Sequence, residues 1–224
     1  MSWVDYDTHA RTCPRDDLWA QVRRTVRGRP VEPGQIDLIA QAILDQLQLG
    51  PEDTILDLAC GNGALTARLQ PHCRASLGVD LSSYLIDVAQ ERFARSRHAF
   101  LVNDACEFAE LHAAPERFTK ALCYGSLCYL SDAQVARMLR ALHARFPGVR
   151  RVMLGNLPDP ARADAFYAST PPDLREPRSD LGVWRGADEL AHLAGPGWEL
   201  STRVMPASFF AAHYRFDAVL ARRQ

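Results

Sequence analysis

Apolar and polar positions alternate along residues 54–156 with two periods, one typical of strands and the other typical of helices. Short apolar runs predict five strands, at 54–59, 75–80, 99–103, 120–124 and 151–156. Between these runs, apolar residues recur at helical spacing near 63–70, 84–95, 106–111 and 132–146. Strands that alternate with helices form βαβ units, so the pattern predicts a parallel sheet covered by helices.

Two of the predicted helices carry clear end signals. The helix predicted over 33–49 begins at Pro33, a residue that suits the first turn of a helix because its missing N–H has no partner there. Ser131 and Gln134 have the spacing of a capping box ahead of the 132–146 helix. Both signals agree with the apolar periodicity, so we expect these two helices to be long and well defined.

The pattern changes after residue 187. A helical pattern near 188–194 is followed by strand-like stretches at 198–205 and 216–221, without a helical pattern of comparable strength between them. Two strands joined directly are expected to pair antiparallel. The sequence therefore predicts one α/β domain over 1–224, with a Rossmann-like, doubly wound, seven-stranded sheet that is mostly parallel and ends in an antiparallel C-terminal strand.

Composition and charge exclude several classes of protein. The chain has 224 residues, 47% of them apolar and 24% charged, and its 26 basic and 27 acidic residues leave a net charge of −1. No basic cluster indicates nucleic-acid binding, and no apolar run is long enough to cross a bilayer. Six scattered cysteines without a CxxC motif, and acids where a signal peptide has basic residues, favour a cytoplasmic protein without a metal site.

The segment ILDLACGNGALTARL, residues 55–69, contains the first chemical signal. A predicted strand leads into Gly61 and Gly63, and a predicted helix follows. Glycines at such a turn let a ligand approach the backbone, while the helix N-terminus offers free N–H groups. Asp80 ends the second strand 23 residues after Asp57, where a carboxylate can accept hydrogen bonds from both hydroxyls of a ribose.

Two departures from the dinucleotide pattern indicate which nucleoside binds. Thr66 stands where the third glycine of that pattern belongs, and no GK[ST] sequence follows. Asp57 lies just before the turn, where a carboxylate repels a pyrophosphate but suits a ligand with ammonium and sulfonium groups. S-adenosylmethionine is a nucleoside of that kind.

Four segments in order resemble the motifs of class I S-adenosylmethionine-dependent methyltransferases. They are DLACGNG, GVDLS with its helix YLIDVAQERF, FLVNDACEF and ALCYGSLCYLSD, and the resemblance extends over about residues 50–156. The helix at 33–49 and the late strand pair also suit the seven-stranded sheet of the family and its reversed last hairpin.

The resemblance implies a set of cofactor contacts. Around the methionine part, the resemblance implies contacts from the glycine turn, from the aspartate before it and from the end of the fourth strand. These residues are Ala59, Gly61, Gly63, Asp57, Tyr124 and Gly125. Around the nucleoside it implies an acid for the ribose, an acid for the adenine amino group and apolar neighbours: Asp80, Asp104, Leu81, Ala105 and Cys106. Two alternatives stay open, since Asp57 can cap the 63–70 helix and Asp104 can be only an N-cap.

The sequence contains fewer signals for the methyl acceptor than for the cofactor. Methyl transfer needs proximity and alignment, and a hydroxyl acceptor usually also needs a base. His213 and His9 are the catalytic candidates because both lie in segments that can reach the carboxyl edge of the sheet. Tyr6, Tyr124 and Tyr214 are further candidates for the acceptor side.

Segments outside the donor-binding core, 33–156, are expected to shape the acceptor pocket. Residues 1–32 can fold over the donor as a lid, the insertion 157–187 lies on the acceptor side, and 188–224 form the C-terminal helix and strand pair. The insertion contains Trp184 and the arginines 175, 178 and 185. These arginines either meet an acidic acceptor or belong to a solvated loop.

These observations predict an enzyme that methylates a small molecule on oxygen or nitrogen, acting as a monomer or homodimer. YGSL stands where an NPPY-type sequence would indicate methylation of nucleic-acid bases. Two alternatives remain: a catalytically silent S-adenosylmethionine-binding or partner protein, and a nicotinamide-dependent reductase on a similar sheet.

Overall fold

A seven-stranded sheet organises the part of the chain that the computed structural model describes, residues 5–26, 29–167, 173–175 and 181–223. Its strands, numbered along the chain, are β1 Thr54–Leu58, β2 Ala75–Asp80, β3 His98–Val102, β4 Lys120–Tyr124, β5 Arg151–Pro158, β6 Trp198–Arg203 and β7 Arg215–Arg222. All five strands of the predicted parallel sheet and the late strand pair are present, with ends that shift by a few residues.

The strand order is β3-β2-β1-β4-β5-β7-β6. The first five strands of that order are parallel, while β7 pairs antiparallel with both β5 and β6. This arrangement confirms the predicted doubly wound sheet. The strand order reverses between β1 and β4, and a crevice therefore opens at their carboxyl ends.

Helices cover both faces of this sheet. They are α1 Tyr6–Thr12, α2 Leu18–Gln21, α3 Pro33–Leu47, α4 Ala64–Leu69, α5 Ser83–Phe93, α6 Ala105–Leu111, α7 Asp132–Arg145, α8 Ala163–Phe166 and α9 Ala187–Ala194. Ser131 and Gln134 form the predicted capping box at the start of α7. None of the helices in the described ranges has both the length and the apolar composition that a bilayer-crossing segment needs.

Two apolar clusters hold the layers together. One cluster packs α6, α7 and α9 on the sheet and includes Phe108 and Leu139. The other packs α3 on the opposite face through Ile36, Ile39 and Ile43. Because each fully buried aliphatic side chain contributes about 1.5–3 kcal/mol, these clusters make the sheet a rigid platform for the loops at its carboxyl edge.

Strand β5 contains an irregularity at its carboxyl end. Its register with β7 shifts between Leu154 and Leu157, and Asn156 has a φ of 61°. The buried carboxylate of Asp217 accepts a hydrogen bond from the Asn156 N–H at 2.7 Å. The bulge lets β5 continue to Pro158, beyond the predicted end of the strand at 156.

The N-terminal segment forms two short helices that the sequence pattern does not predict. Helix α1 has seven residues and α2 has four, which is too short for apolar periodicity to develop. Helix α1 lies against α5. The side chain of Asn62, in the glycine turn, donates to the Leu18 carbonyl at 2.7 Å and to Gln21 Oε1 at 2.9 Å.

Candidate cofactor and acceptor site

A cavity of about 920 Å³ opens at the carboxyl edge of the sheet. Its wall combines the ends of β1, β2 and β4 with residues of the N-terminal segment 5–24, which we call the lid segment. Small-molecule pockets span about 300–1,000 Å³, so this cavity is large enough for a ligand of nucleoside size. Within the described residues, no cluster of three or more metal-ligating side chains is found.

The cavity wall brings together nine of the eleven cofactor residues predicted from the sequence: Asp57, Ala59, Gly61, Asp80, Leu81, Asp104, Ala105, Tyr124 and Gly125. Gly63 and Cys106 do not line it. A Cβ on Gly63 would lie 2.6 Å from the Phe100 ring, and buried Cys106 faces the backbone of α7 through its thiol. Gly63 allows helix α4 to pack closely on the sheet, which is a structural role beside the cavity.

The glycine turn has an unusual backbone conformation. Ala59 and Gly61 both have a φ of 59°, a region that L side chains rarely occupy. A Cβ on Gly61 would also lie 2.9 Å from Cγ1 of Val22. Gly61 therefore fits closely between the cavity and the lid segment.

Asp80 connects the glycine turn to the second strand. Its Oδ2 accepts from the Gly61 N–H at 2.8 Å, and its Oδ1 accepts from the Ser82 N–H at 2.9 Å. Burial raises the pKa of this carboxyl, while the two backbone N–H groups oppose that shift. Each carboxylate oxygen has a second lone pair, so Asp80 can orient the turn and still accept from a ligand.

Asp104 serves as a helix cap and as a wall residue. Its Oδ1 accepts from the backbone N–H groups of Cys106 at 2.8 Å and Glu107 at 2.9 Å. Among the residues that the structure describes, no donor reaches its Oδ2. The N-cap alternative is thus correct for one oxygen, and the other oxygen is available to a ligand.

Asp57 is a buried carboxyl, 3% exposed, that hydrogen-bonds to a side chain of α4. Thr66 Oγ1 donates to its Oδ2 at 2.5 Å, so Thr66, which departs from the dinucleotide pattern, supports this aspartate. Burial raises the pKa of Asp57 to about 7, the Asp80 charge adds to the shift, and the Thr66 hydroxyl and Arg24 oppose it. The capping alternative is wrong, because Asp57 accepts from the Thr66 hydroxyl, while the first N–H of α4, that of Ala64, donates to Asn62 Oδ1 at 3.3 Å.

Arg24 is a cavity residue whose role the sequence did not indicate beyond membership of a lid. Its guanidinium carbon lies 5.0 Å from the ring centre of Tyr124 and 5.8 Å from that of Trp19. Burial lowers its pKa. Within the described part of the chain, Arg24 Nη1 and the Tyr124 hydroxyl are buried without a hydrogen-bond partner. A buried guanidinium with an unsatisfied N–H group is stabilised by an anion, and this one faces the cavity.

Polar contacts fix the lid segment over the cavity. Asp7 Oδ1 accepts from Ser82 Oγ at 2.6 Å and from the Tyr84 N–H at 3.1 Å. These contacts and Arg11 hold the pKa of Asp7 down at about 2. At the other side of the cavity, the Tyr6 hydroxyl donates to the Tyr129 hydroxyl at 3.0 Å.

Residues 126–131, which we call the acceptor loop, are held by a distant segment. Arg185, 3% exposed, donates to the carbonyls of Leu127 at 3.2 Å and Leu130 at 2.6 Å, and to Asp132 at 2.8 Å. The Val183 N–H donates to the Cys128 carbonyl at 2.9 Å. Val183 thus contributes to the wall of the cavity, and Arg185 supports the acceptor loop from behind.

The arginines of the predicted insertion have structural partners. Arg175 pairs with Asp132 and Glu189, and Arg185 shares Asp132 with it. Neither arginine lines the cavity, so the acidic-acceptor alternative does not describe them. Arg175 is exposed, in agreement with the solvated-loop alternative, whereas Arg185 is buried. Arg178 lies outside the described residues. Trp184, 1% exposed, packs among the aromatic rings of Phe166, Tyr167 and Tyr214.

The structure places both candidate histidines away from the cavity wall. His213 is exposed in the turn before β7, with its ring 4.8 Å from the buried Tyr214. His9 Nε2 lies 2.9 Å from the Ala20 carbonyl, a contact within the lid segment. Tyr6 and Tyr124 line the cavity, whereas Tyr214 belongs to the aromatic cluster around Trp184.

Comparison with protein-family models gives one match, to a methyltransferase domain, over residues 55–146. The matched residues run from β1 through α7 and contain the glycine turn, Asp80, Asp104 and Gly125. They therefore include the parts of the cavity that the sequence motifs predict.

Two curated relatives extend this match. The chain is 29% identical over 135 residues to Nodulation protein S of Rhizobium tropici, which covers 60% of this chain and 52% of that protein. The chain thus spans about half the length of this relative. It is 27% identical over 194 residues to the magnesium-protoporphyrin O-methyltransferase of Rhodobacter capsulatus, which covers 83% of this chain and 79% of that protein.

A solved structure supports the same fold. The magnesium protoporphyrin IX methyltransferase of Synechocystis PCC 6803, crystallised with bound S-adenosylhomocysteine, superposes with a TM-score of 0.59 at 16% identity. The superposition covers 85% of this chain and 82% of that one.

Proposed function

This chain carries a class I S-adenosylmethionine-dependent methyltransferase domain, and we propose that it transfers the methyl group of S-adenosylmethionine to a small-molecule acceptor. The observation that carries this proposal is the combination, in one cavity, of a glycine turn, two carboxylates with lone pairs available and an arginine whose Nη1 is buried without a hydrogen-bond partner among the described residues. An amino-acid nucleoside has a group for each of them.

Different cavity residues bind different parts of the cofactor. Asp80 accepts from the ribose hydroxyls, Asp104 Oδ2 accepts from the adenine amino group, and Arg24 binds the methionine carboxylate. When bound, S-adenosylmethionine supplies an activated methyl group on a positively charged sulfur. The protein then has to align an acceptor, exclude water and hold the lid segment closed, which are contributions of proximity and orientation.

Three features support a small acceptor. The lid segment and Val183 both contribute to the cavity wall. The sequence has a net charge of −1 and lacks the basic cluster that is typical of nucleic-acid binding. The magnesium-protoporphyrin relative is named for a small-molecule substrate.

The six cysteines are all unpaired, which supports a location in the reducing cytoplasm.

Substitution of Arg24 by methionine tests the cofactor assignment. Methionine keeps the apolar part of the side chain but removes the charge, so S-adenosylhomocysteine should bind roughly 10- to 100-fold more weakly, the range expected for one charged hydrogen-bonded contact. Isothermal titration calorimetry measures this change. The matched control is Arg29→Met, which changes an exposed arginine in the two-residue strand Arg29–Pro30 that pairs with Thr25–Val26 after the lid segment.

Unchanged affinity in a folded Arg24→Met variant would contradict the carboxylate assignment. Transfer itself is tested with S-adenosylmethionine tritiated on the methyl group and a small-molecule extract of bacterial cells. We expect tritium in an organic product. Binding of S-adenosylhomocysteine without any transfer would favour the catalytically silent alternative, and binding of NADH in its place would favour the reductase.

The histidine hypothesis is tested by His213→Ala and His9→Ala. If either residue is the base, kcat should fall roughly 10²–10⁴-fold while cofactor affinity stays unchanged. From their positions outside the cavity wall, we expect turnover within about threefold of wild type for both variants. A fall of 10²-fold or more, measured with the tritium assay, would restore the histidine as catalytic residue.

A further inference from the structure

The acceptor loop forms the part of the cavity wall that lies beside the glycine turn. Ser126 Oγ donates to the Ala59 carbonyl of that turn at 3.5 Å. With the cofactor on the glycine turn, as proposed above, the loop borders the space that is left for an acceptor. Five of the six loop residues line the cavity: Ser126, Cys128, Tyr129, Leu130 and Ser131.

The loop has little secondary structure of its own to fix its position. Its regular structure is one short 3₁₀ turn, Leu127–Tyr129. Two backbone hydrogen bonds close this turn, from the N–H groups of Tyr129 and Leu130 to the carbonyls of Ser126 and Leu127. The last carbonyls of a helical turn have no partner within it. The position of the loop therefore depends on contacts from other parts of the chain.

Arg185 supplies hydrogen bonds to carbonyls at both ends of the turn. It is 3% exposed, and its Nη1 and Nη2 donate to the carbonyls of Leu127 and Leu130 at 3.2 and 2.6 Å. Its Nε donates to Oδ1 of Asp132, the first residue of α7, at 2.8 Å. Because the N–H groups of a guanidinium have fixed directions in one plane, these three contacts fix the loop relative to α7.

The backbone just before Arg185 packs directly on the same loop. The Val183 N–H donates to the Cys128 carbonyl at 2.9 Å. Gly182 has a φ of 75°, and a Cβ at this position would lie 2.4 Å from the Cys128 carbonyl oxygen. A residue with a side chain could therefore occupy position 182 only if the loop moved. Residues 182–185 thus hold the loop through the backbone as well as through Arg185.

Arg175 offers a comparison within the same chain, because it shares Asp132 with Arg185. Among the described residues, the hydrogen bonds of its guanidinium go to Asp132, Glu189 and the Trp184 carbonyl. Its side chain is exposed, whereas that of Arg185 is buried. The two arginines therefore have the same carboxylate partner, but the printed contacts with the loop carbonyls belong to Arg185.

We propose that Arg185 is a positioning residue for methyl transfer, because with Gly182 and Val183 it fixes the acceptor loop beside the cofactor. This inference rests on the proposed function. Arg185 does not line the cavity, so its effect passes through the loop. Methyl transfer depends on the alignment of two molecules. A loop that moves relative to the cofactor should slow the transfer without weakening cofactor binding.

Arg185→Met tests this inference, since methionine fills part of the volume but donates no hydrogen bond. Transfer from methyl-tritiated S-adenosylmethionine is measured over a dilution series of the bacterial extract, which separates the maximal rate from the concentration at half-maximal rate. We expect the maximal rate to fall roughly 10- to 100-fold, while the Kd of S-adenosylhomocysteine stays within about threefold. Rates are expressed per binding site counted by calorimetry, so that misfolded protein does not contribute.

Two further variants act on the loop in different ways. Gly182→Ala keeps Arg185 but places a methyl group against the Cys128 carbonyl, and the maximal rate should fall roughly tenfold. Arg185→Lys keeps the charge and can donate to part of the same acceptors, so its rate should lie between those of Arg185→Met and wild type. The matched control is Arg175→Met, which should keep the rate within about twofold.

Hydrogen exchange followed by mass spectrometry reports on the loop itself. In Arg185→Met, the amides of Tyr129 and Leu130 should exchange roughly tenfold faster than in wild type, because the loop opens more often. The amides of α5, on the other side of the glycine turn, should exchange at the wild-type rate. Faster exchange throughout the chain would indicate a general loss of stability and would contradict a positioning role.

The possible failures can be told apart. Absence of label with the wild-type enzyme would count against the proposed function, and the positioning role would fall with it. If the wild-type enzyme transfers label and Arg185→Met does so at the same maximal rate, the inference is wrong and methyl transfer stands. A loss of rate matched by an equal loss of S-adenosylhomocysteine affinity would likewise overturn it, because Arg185 would then support the cofactor site.

Discussion

Alanine at position 80 should weaken S-adenosylhomocysteine binding by about 2–4 kcal/mol, which corresponds to roughly 30- to 700-fold in Kd. The effect has two sources. The substitution removes the acceptor for the ribose hydroxyls, and it releases the N–H groups of Gly61 and Ser82, which Asp80 holds at 2.8 and 2.9 Å. The glycine turn then loses the contact that fixes it against β2.

Calorimetry of the folded Asp80→Ala variant measures this loss. Asp80→Asn keeps one carbonyl oxygen and should recover part of the affinity, while Asp87→Ala, on the exposed face of α5, is the control for removal of a nearby acid. Unchanged affinity in the Asp80→Ala variant would mean that the ribose lies elsewhere in the cavity.

The protein without cofactor should lose stability as the pH rises from about 4 to 7, because Asp57 must ionise while buried. The pKa of Asp57 is raised by burial from 3.8 to about 7, so the folded chain keeps a proton that the unfolded chain has released. Because the folded state binds this proton more tightly than the unfolded state does, the bound proton stabilises the folded state. This contribution is fully present below the pKa of the unfolded state and is lost as the pH rises to the pKa of the folded state. The difference of about 3 units sets an upper bound of about 4 kcal/mol.

Urea unfolding of wild type and Asp57→Asn at unit steps from pH 4 to 8 isolates this contribution. The amide does not titrate, and Asp217, whose pKa burial also raises, is present in both proteins. The difference therefore reports the titration of Asp57 together with its coupling to the Asp80 charge. The stability of wild type minus that of Asp57→Asn should therefore fall with rising pH. A difference that stays constant within about 0.5 kcal/mol would show that Asp57 does not carry the shift.

Thr66→Val is the companion variant. It removes the hydroxyl that donates to Asp57 at 2.5 Å while keeping a similar shape. We expect the fall in stability to extend to higher pH, since the hydroxyl opposes the effect of burial on the pKa of Asp57.

The donor half of the site could be predicted from the sequence because parallel strands dictate it. When β1, β2 and β3 lie side by side, the residues at or just after the carboxyl end of each strand meet at one edge. Asp57, Asp80 and Asp104 hold such positions, so strand ends and short motifs were sufficient to bring them together.

The rest of the site depends on tertiary contacts that leave no periodic signal. Arg24 reaches Tyr124 across 100 residues, and Arg185 reaches the carbonyl of Leu127 from 58 residues away. Helices as short as α1 and α2 cannot show amphipathic spacing. Gly63 has a glycine-motif position but packs against Phe100. The sequence could not predict this, because a motif does not say which side of the backbone faces the ligand.

Arg185 and Val183 hold the acceptor loop from a part of the chain that is distant in sequence, so the two sides of the cavity come from different segments. The proposed cofactor residues lie within 57–125, apart from Arg24, whereas the rest of the cavity wall comes from three stretches distant in sequence: the lid segment, the acceptor loop and Val183. Substitutions in the lid segment or near Val183 are therefore expected to change the proposed acceptor side of the cavity while the proposed ribose and adenine contacts stay in place. The fold is in this sense modular, and descendants of one ancestral chain could diversify in substrate while inheriting an unchanged nucleoside site.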